Sequence, residues 1–510
     1  MLKELYRDRV KIFALVFLIF LLGYFLRVMY LSHNDLTFGY DQARDAINAQ
    51  IILGGHLKIQ GPPASIQGLN HGVLYYYVMA IAYAFGKNPA NAAYFIALIN
   101  SLTVFIVFAI TYQLTKKTWA AILSSLLFSI SFEATQYATW LSNPTTAILT
   151  VPLMYLGLWM WIEKKNKWAP LITALGLGLS IQSEIFLAYH LIPLAIWLWV
   201  SRKNVTRRQL LVFLVFLGLV LSSIFMSEIK FGFRGIGGVK TLFSSSSPNL
   251  AYSNSVGDYL VLYLNQIGRI FAFNTYPGNI FYGGLLVIIL AAYYVFKKEK
   301  AGLFIASWLF SHATVVSLGG TSTPFLMVGI GPAVSILLGM SIYRWFASGY
   351  RVLAVITLVI LILGNLAIIQ RENPKGATLF SIQKEMTLKR EVEAIDFTYM
   401  ESQGKKFSIN SVTSPLWINI VWTYLYKWYG ARNYGYIAEW HGRDQVGQLD
   451  SLPATSKDTK LYYLIIEPMD GVPTQYLDQT IQEENAVSTL VKEQYFGQIR
   501  VQERIRLENK

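Results

Sequence analysis

Apolar residues in this chain gather in long runs separated by short basic stretches, with no sustained two-residue alternation across the first 370 positions. Residues 12–30, 92–114, 145–161, 210–228, 280–296 and 352–369 carry almost no charge. A bilayer core about 30 Å thick takes about 20 helical residues at 1.5 Å each. Shorter or interrupted runs lie at 119–132, 169–182, 185–199, 302–318 and 324–343. The pattern predicts an α-helical polytopic membrane protein with about eleven transmembrane helices. The first run is long and no small-residue cleavage site follows it before His33, so it is expected to remain as the first span.

The stretches between runs give the orientation, because Lys and Arg concentrate in cytoplasmic loops. Clusters at Lys3/Arg7/Arg9/Lys11, Lys116-Lys117, Lys164/Lys165/Lys167, Arg202/Lys203/Arg207/Arg208, Lys297/Lys298/Lys300 and Arg344/Arg351 can all be placed inside together. That threading predicts a cytoplasmic N-terminus, a multi-pass location in the cytoplasmic membrane, and outer segments at 31–91 and 229–279. Arg27, near the outer end of the first span, is expected to snorkel to the interface.

After residue 370 the composition changes. Residues 1–370 hold 26 basic and 11 acidic residues, whereas residues 371–510 hold 17 and 18 and are nearly neutral. Pro374-Lys375-Gly376 reads as a linker, residues 461–466 as a buried strand, residues 498–507 as a second, and residues 415–429 as a helix with an aromatic face. The expectation is a 1–370 transmembrane domain followed by a small extracytoplasmic α/β domain at 371–510, in which no catalytic motif is found.

Composition agrees and excludes several classes. Hydrophobic residues make up 54% of the chain, charged residues 14%, and the mean hydropathy is +0.41. The net charge of +14 lies mostly in loops, so topology accounts for it and no nucleic-acid partner is expected. With no cysteine there is no disulfide, thiolate metal site or cysteine nucleophile. The histidines show no HExxH-type spacing, so no protein-built metal site is expected.

Acids are scarce in the first 370 residues. Glu4, Asp8, Glu163 and Glu299 sit among basic loop residues; Asp35, Asp41, Asp45, Glu133, Glu184, Glu228 and Asp258 fall at or near the outer face. An ionisable group at membrane depth is a functional candidate. At about 100° per residue, Asp41, Arg44, Asp45 and Asn48 share one helix face, which predicts an amphipathic helix lying at the outer interface. An ordinary reading is equally open, with Asp41 capping the helix and Arg44 in a surface salt bridge. Glu184 fits an interfacial turn as well as a cavity, and His190 reads as a core histidine.

Phe38-Gly39-Tyr40-Asp41-Gln42-Ala43-Arg44-Asp45-Ala46, placed just after the first span, resembles the first outer-loop motif of GT-C glycosyltransferases. The similarity is to the protein O-mannosyltransferase and aminoarabinose-transferase group (glycosyltransferase family 39-like), in which an Asp-Glu pair often stands there; Gln42 replaces the second acid. Gly61-Pro62-Pro63 through His71-Gly72-Val73-Leu74-Tyr75-Tyr76-Tyr77 to Phe85-Gly86 looks like the group's "PPLYYYL…FG" stretch with an insertion. Thr139-Trp140-Leu141-Ser142-Asn143-Pro144 resembles a second outer loop, with Asn143 where relatives often carry an acid. Pro324-Phe325-Leu326 through Gly331-Pro332-Ala333 resembles a late span, without its His. The resemblance covers roughly residues 1–370.

It implies inverting transfer of a sugar from a polyprenyl-phosphate donor to a glycan, glycolipid or protein acceptor at the outer face. Asp41 is then the candidate general base, and the leaving phosphate needs cations or donors, for which Arg44, Arg234, Lys240 and Arg269 are available. Tyr40, Gln42, Asp45, His71, Tyr75, Asn143 and Glu184 are the remaining substrate-binding candidates. A solvated loop charge competes at Arg234, Lys240 and Arg269. The segment Arg234–Gly238 is weak as a phosphate loop and reads better as a flexible outer loop, with Ser244–Ser247 adding mobility. No cofactor is expected; some GT-C enzymes use a divalent ion and others do not, and Asp41 with Asp45 could not hold one unaided. A transporter or flippase for lipid-linked saccharides, a polysaccharide polymerase or ligase, and a non-catalytic scaffold are the alternatives.

Overall fold

The computed structural model describes residues 2–64, 66–164, 166–243, 256–317, 323–381, 383–456 and 458–507. Its first part is a helical assembly: α1 (Leu2–Val28), α2 (Tyr40–Leu53), α3 (Leu74–Tyr83), α4 (Pro89–Thr115), α5 (Thr118–Ser129), α6 (Phe132–Ala138), α7 (Ala147–Lys164), α8 (Ala169–Ser183) and α9 (Leu191–Val200). There follow α10 (Arg207–Lys230), α11 (Arg234–Phe243), α12 (Val256–Phe273), α13 (Ile280–Phe296), α14 (Lys300–Leu309), α15 (Ala313–Ser317), α16 (Gly331–Ala347) and α17 (Arg351–Glu372). Five of the helical stretches are long and apolar enough to cross a membrane, and the α5–α6 pair, bent by 54°, makes a sixth. Most of the other expected crossings correspond to apolar helices of 10–17 residues.

Packing separates the helices by role. Buried Tyr155, Leu158, Trp161, Phe304, Trp308 and Leu337 lie in one apolar core built mainly on α1, α4, α5, α7, α8, α14 and α16. On α10 and α17 many large apolar side chains, among them Leu211, Leu219, Val352 and Leu363, face outward. In water that would be a gross liability; in a bilayer it is the lipid-facing surface.

The α5–α6 break is held by side chains. Ser131 Oγ accepts the Ala134 N–H at 3.1 Å and donates to Asn274 Oδ1 at 2.6 Å, while Asn365 Oδ1 accepts the Phe132 N–H at 3.0 Å. Asn274 Nδ2 donates to Glu133 at 2.6 Å. Backbone groups freed at a break need such partners where water is absent. Arg27 belongs to the same device: it is 1% exposed, donates to Asn100 Oδ1 at 2.7 Å, and also reaches the carbonyls of Ser129 and Phe128. It therefore ties α1 and α4 to the end of α5 and does not snorkel as expected.

Charged loops meet at one end of the bundle, where Lys300 pairs with Glu163 and Arg344 with Glu299. Three of the loops grouped by charge in the sequence are thus neighbours. From there α7 runs 18 residues, roughly 27 Å, back to the end that carries α2 and the C-terminal region.

That region contains α18 (Leu388–Ser402), α19 (Ile420–Leu425), α20 (Ala431–Tyr434), α21 (Thr474–Val487) and five strands, β1 (Ser408–Val412), β2 (Glu439–Trp440), β3 (Leu461–Ile466), β4 (Ser488–Phe496) and β5 (Ile499–Arg506). The sheet order is β2-β1-β3-β5-β4, parallel from β2 to β3 and antiparallel at β5 and β4. The expected helix at 415–429 is only Ile420–Leu425, continued by one wide turn at Tyr426–Gly430. The expected linker is anchored: Thr37 Oγ1 donates to Gly376 O at 3.3 Å and Gln136 Nε2 to Asn373 Oδ1 at 2.7 Å. A single apolar cluster runs from α2, α3 and the start of α4 into Tyr399, Trp422 and Tyr463, so the sheet region is packed onto the bundle.

Glu391 on α18 is fully buried and neither carboxyl oxygen has a partner among the described residues. Burial, and then the nearby Glu467, raise its pKa well above the carboxylate range, so it is carried as a neutral acid. Glu391→Met should stabilise the protein by about 1–3 kcal/mol, the penalty of an unpaired buried polar group, read as a higher Tm in detergent.

Candidate functional site

At the junction of the two regions lies a cavity of about 360 Å³ lined by Tyr40, Asp41, Gln42, Arg44, His71, Asn143 and Glu184 from the helical part. Phe380, Ser381, Gln383, Met386, Ser414 and Pro415 form the wall from the C-terminal region, and Trp140 and Phe325 add aromatic surface.

Helix α2 presents the charges. It starts after Gly39, whose N–H donates to Gln42 Oε1 at 2.9 Å, and Gln42 Nε2 donates to Leu141 O at 2.9 Å. Gln42 thus spends both ends of its amide on fixing α2 against the second loop, a task a carboxylate could not perform. Asp41 remains half-exposed at 52% and accepts from Arg44 Nη1 at 2.6 Å. Arg44 is buried, with Nε and Nη2 on Asp45 Oδ1 at 2.8 and 2.7 Å, and lies over the Tyr40 ring. Asp45 is fully buried and its Oδ2 has no partner among the described residues. Burial opposes both charges: Asp45 and Asp41 outweigh it at Arg44, whose pKa is raised, while at Asp45 burial prevails over the Arg44 contact and lifts it to about 7. Arg44 faces two carboxylates and keeps its proton, and that direction governs the group.

The polar face is where the sequence placed it, but α2 is buried on both sides. Ala43, Ala46, Ile47 and Ala49 are buried on one side, in a cluster that includes Trp422 of α19, and Arg44, Asp45 and Asn48 on the other, where Tyr75 and Tyr76 of α3 lie within electrostatic reach of Arg44 and Asp45. Asp45 is not among the residues lining the cavity, and its Oδ1 accepts from Arg44. Tyr75 is buried outside the cavity lining, its hydroxyl without a partner among the described residues.

His71 reaches the cavity because Gly72 lets its loop pass close to the end of α8. A Cβ at Gly72 would overlap Gln182, whose carbonyl accepts the Gly72 N–H at 2.9 Å. His71 Nδ1 accepts the Ile185 N–H at 3.2 Å, which leaves the ring proton on Nε2. Glu184 Oε1 lies 3.4 Å from the same nitrogen. Burial, aided by Arg44, lowers His71 to about 3, and burial lifts Glu184 to about 8 against one backbone N–H. Both shifts favour the uncharged forms. Asn143 Nδ2 donates to Ser183 O at 2.6 Å, joining the second loop to α8.

Arg234, Lys240 and Arg269 do not line this cavity; they are exposed on α11 and α12. The segment from Arg234 is a helix, and its Gly235 and Ile236 N–H groups point at Glu228 Oε2 at 3.1 and 3.3 Å. Glu228 therefore occupies the donors considered for phosphate. Ser244–Ser247 lie outside the described residues. His190 is buried against Tyr155, at 3.1 Å, as a core histidine. Among the described residues no group of three metal-ligating side chains occurs.

The C-terminal wall was not assigned from sequence. It is set by Glu467, just beyond β3, whose carboxylate accepts the Ser414 N–H at 2.8 Å, Gln383 Nε2 at 3.3 Å and Trp422 Nε1 at 3.1 Å. Burial lifts Glu467 to about 7 against those three donors. A carboxyl raised above its unfolded value of 4.5 contributes stability that is complete below that value and is lost as pH rises through about 7. Tm should therefore fall between pH 5 and 8, and Glu467→Gln should flatten that fall; an unchanged slope would remove Glu467 as its source.

Long apolar helices and a polar cavity at the junction of the two regions describe a multi-pass membrane protein. Residues 70–227 match the family described as dolichyl-phosphate-mannose-protein mannosyltransferase. The fold is similar to that of ArnT from Cupriavidus metallidurans in the apo state, at TM-score 0.58 and 14% identity, over 97% of this chain and 98% of that one. The same enzyme bound to undecaprenyl phosphate gives TM-score 0.56 and 14% identity over 96% and 97%. No curated protein sequence matches the chain. The resemblance read from the outer-loop motifs is thus met in fold and, over 70–227, in sequence.

Proposed function

We propose that the protein transfers a sugar from a polyprenyl-phosphate donor to an acceptor hydroxyl, at the outer face of the cytoplasmic membrane and with inversion. The observation that carries the reading is the cavity itself, where a half-exposed Asp41 stands beside a buried, doubly paired Arg44. The fold shared with an enzyme that binds undecaprenyl phosphate supports the carrier, and the match at 70–227 supports sugar transfer. We place about eleven crossings in the membrane, the basic loops inside, and the 371–510 domain outside over the cavity.

Asp41 accepts the proton of the acceptor hydroxyl as its oxygen bonds to the anomeric carbon. The bond from that carbon to the phosphate oxygen breaks, and the lipid phosphate leaves with the electron pair. Arg44 offers guanidinium charge to the departing phosphate, and the low dielectric around it strengthens that interaction. His71, its Nε2–H free of the Ile185 contact, and Asn143 border the acceptor path. The test is transfer of radiolabelled sugar from polyprenyl-phosphate donors in proteoliposomes. Transfer by the wild type supports the reading, and none with any donor would put the flippase or scaffold reading ahead.

A further inference from the structure

A second groove, of about 410 Å³, shares no lining residue with the cavity and is lined by Lys87, Lys427, Trp428, Ala431 and Arg432. Its two sides come from distant parts of the chain, the α3–α4 loop and the wide turn after α19. They are locked together by the Tyr424 hydroxyl, which donates to Lys87 O at 2.5 Å. Lys427 pairs with Asp450 at 2.5 Å. Lys87 and Arg432 are exposed and have no acidic partner among the described residues.

The covalent chain fixes the groove's depth. Lys87 stands two residues before α4, a 27-residue helix long and apolar enough to span a membrane, so it lies at the membrane surface. Just before it, Ile81 and Phe85 are 55% and 76% exposed, as apolar side chains in contact with lipid would be. An indole wall suits the interfacial layer, where Trp concentrates. The groove thus joins an uncompensated cationic pair, an interfacial ring and flanking lipid-facing residues at one level.

We infer that this groove binds the phosphate-bearing headgroup of an anionic membrane phospholipid and so pins the C-terminal region to the bilayer surface. The full chain, purified in neutral detergent, is titrated with phosphatidylglycerol or phosphatidylcholine and the bound lipid is counted by native mass spectrometry. Wild type should prefer phosphatidylglycerol about tenfold or more. Lys87→Gln combined with Arg432→Gln should lower that affinity about tenfold, as expected for two charges near an anionic headgroup, and leave phosphatidylcholine unchanged. Lys87→Arg with Arg432→Lys should keep the preference, and so should Asp41→Asn, which separates this site from sugar transfer. Equal binding of both lipids by the wild type, or undiminished phosphatidylglycerol binding by the Gln pair, would overturn the assignment. Inorganic phosphate that binds the lipid-free protein through Lys87 and Arg432 and blocks phosphatidylglycerol would make the ligand a free phosphate, and the lipid assignment would fall.

Discussion

Asp41→Asn is expected to reduce sugar transfer by about 10²–10⁴-fold, the range for loss of a positioned general base, while the protein inserts and folds as before. The asymmetry follows from exposure. The Asp41 side chain is 52% exposed and its one ion pair, with Arg44, lies at the cavity rim; such pairs contribute about 0–1 kcal/mol. Asn retains the shape and can still face the guanidinium, so Tm should stay nearly constant. Transfer rates in proteoliposomes, compared at matched reconstitution, provide the check. Equal rates for the two proteins would take Asp41 out of the mechanism.

Asp45→Ala, four residues along the same helix, should behave in the opposite way. Asp45 is fully buried and receives Arg44 through two nitrogens. Removing it leaves a buried guanidinium with only the rim carboxylate, and breaking a buried pair from one side costs about 3–5 kcal/mol. The expected result is a large fall in Tm and in yield of folded protein, with loss of transfer as a consequence. Asp45→Leu combined with Arg44→Met removes both charges and should recover much of the Tm without restoring transfer. Recovery of transfer along with stability would show that Arg44 matters only for the fold.

The contrast between these neighbours explains what could be read without coordinates. Spacing put Asp41, Arg44 and Asp45 on one face, but only the packing around α2 leaves one carboxylate open and seals the other. The membrane helices were legible because their apolar runs are set by bilayer thickness, and the α5–α6 bend was not, because it rests on Asn274 and Asn365 from far along the chain. Strand β3 was visible as an apolar run, and residues 498–507 as an alternation. Strand β1, Ser-Ile-Asn-Ser-Val, and the exposed edge strand β4 carry no such signal; pairing makes them strands. In the cavity, His71, Asn143 and Glu184 were found through motif resemblance or the rarity of acids at membrane depth. Gln383 and Ser414 are ordinary polar residues whose placement by Glu467 is purely tertiary. Arg234, Lys240 and Arg269 were named by charge and location, which cannot tell a cavity wall from an exposed helix face.

The cavity's two walls also differ in when they come into being. Asp41 leaves the ribosome early, whereas the opposing wall depends on β3, whose neighbour β5 spans Ile499–Arg506. At synthesis rates of about 5–20 residues per second, the open carboxylate waits on the order of half a minute or more before the segment that completes its enclosure exists. A nascent chain therefore carries the membrane helices and the charged triad but only half a binding site. Assembly of the last sheet strands becomes the step that switches the site on, and a chain interrupted before β5 would be inserted yet inert.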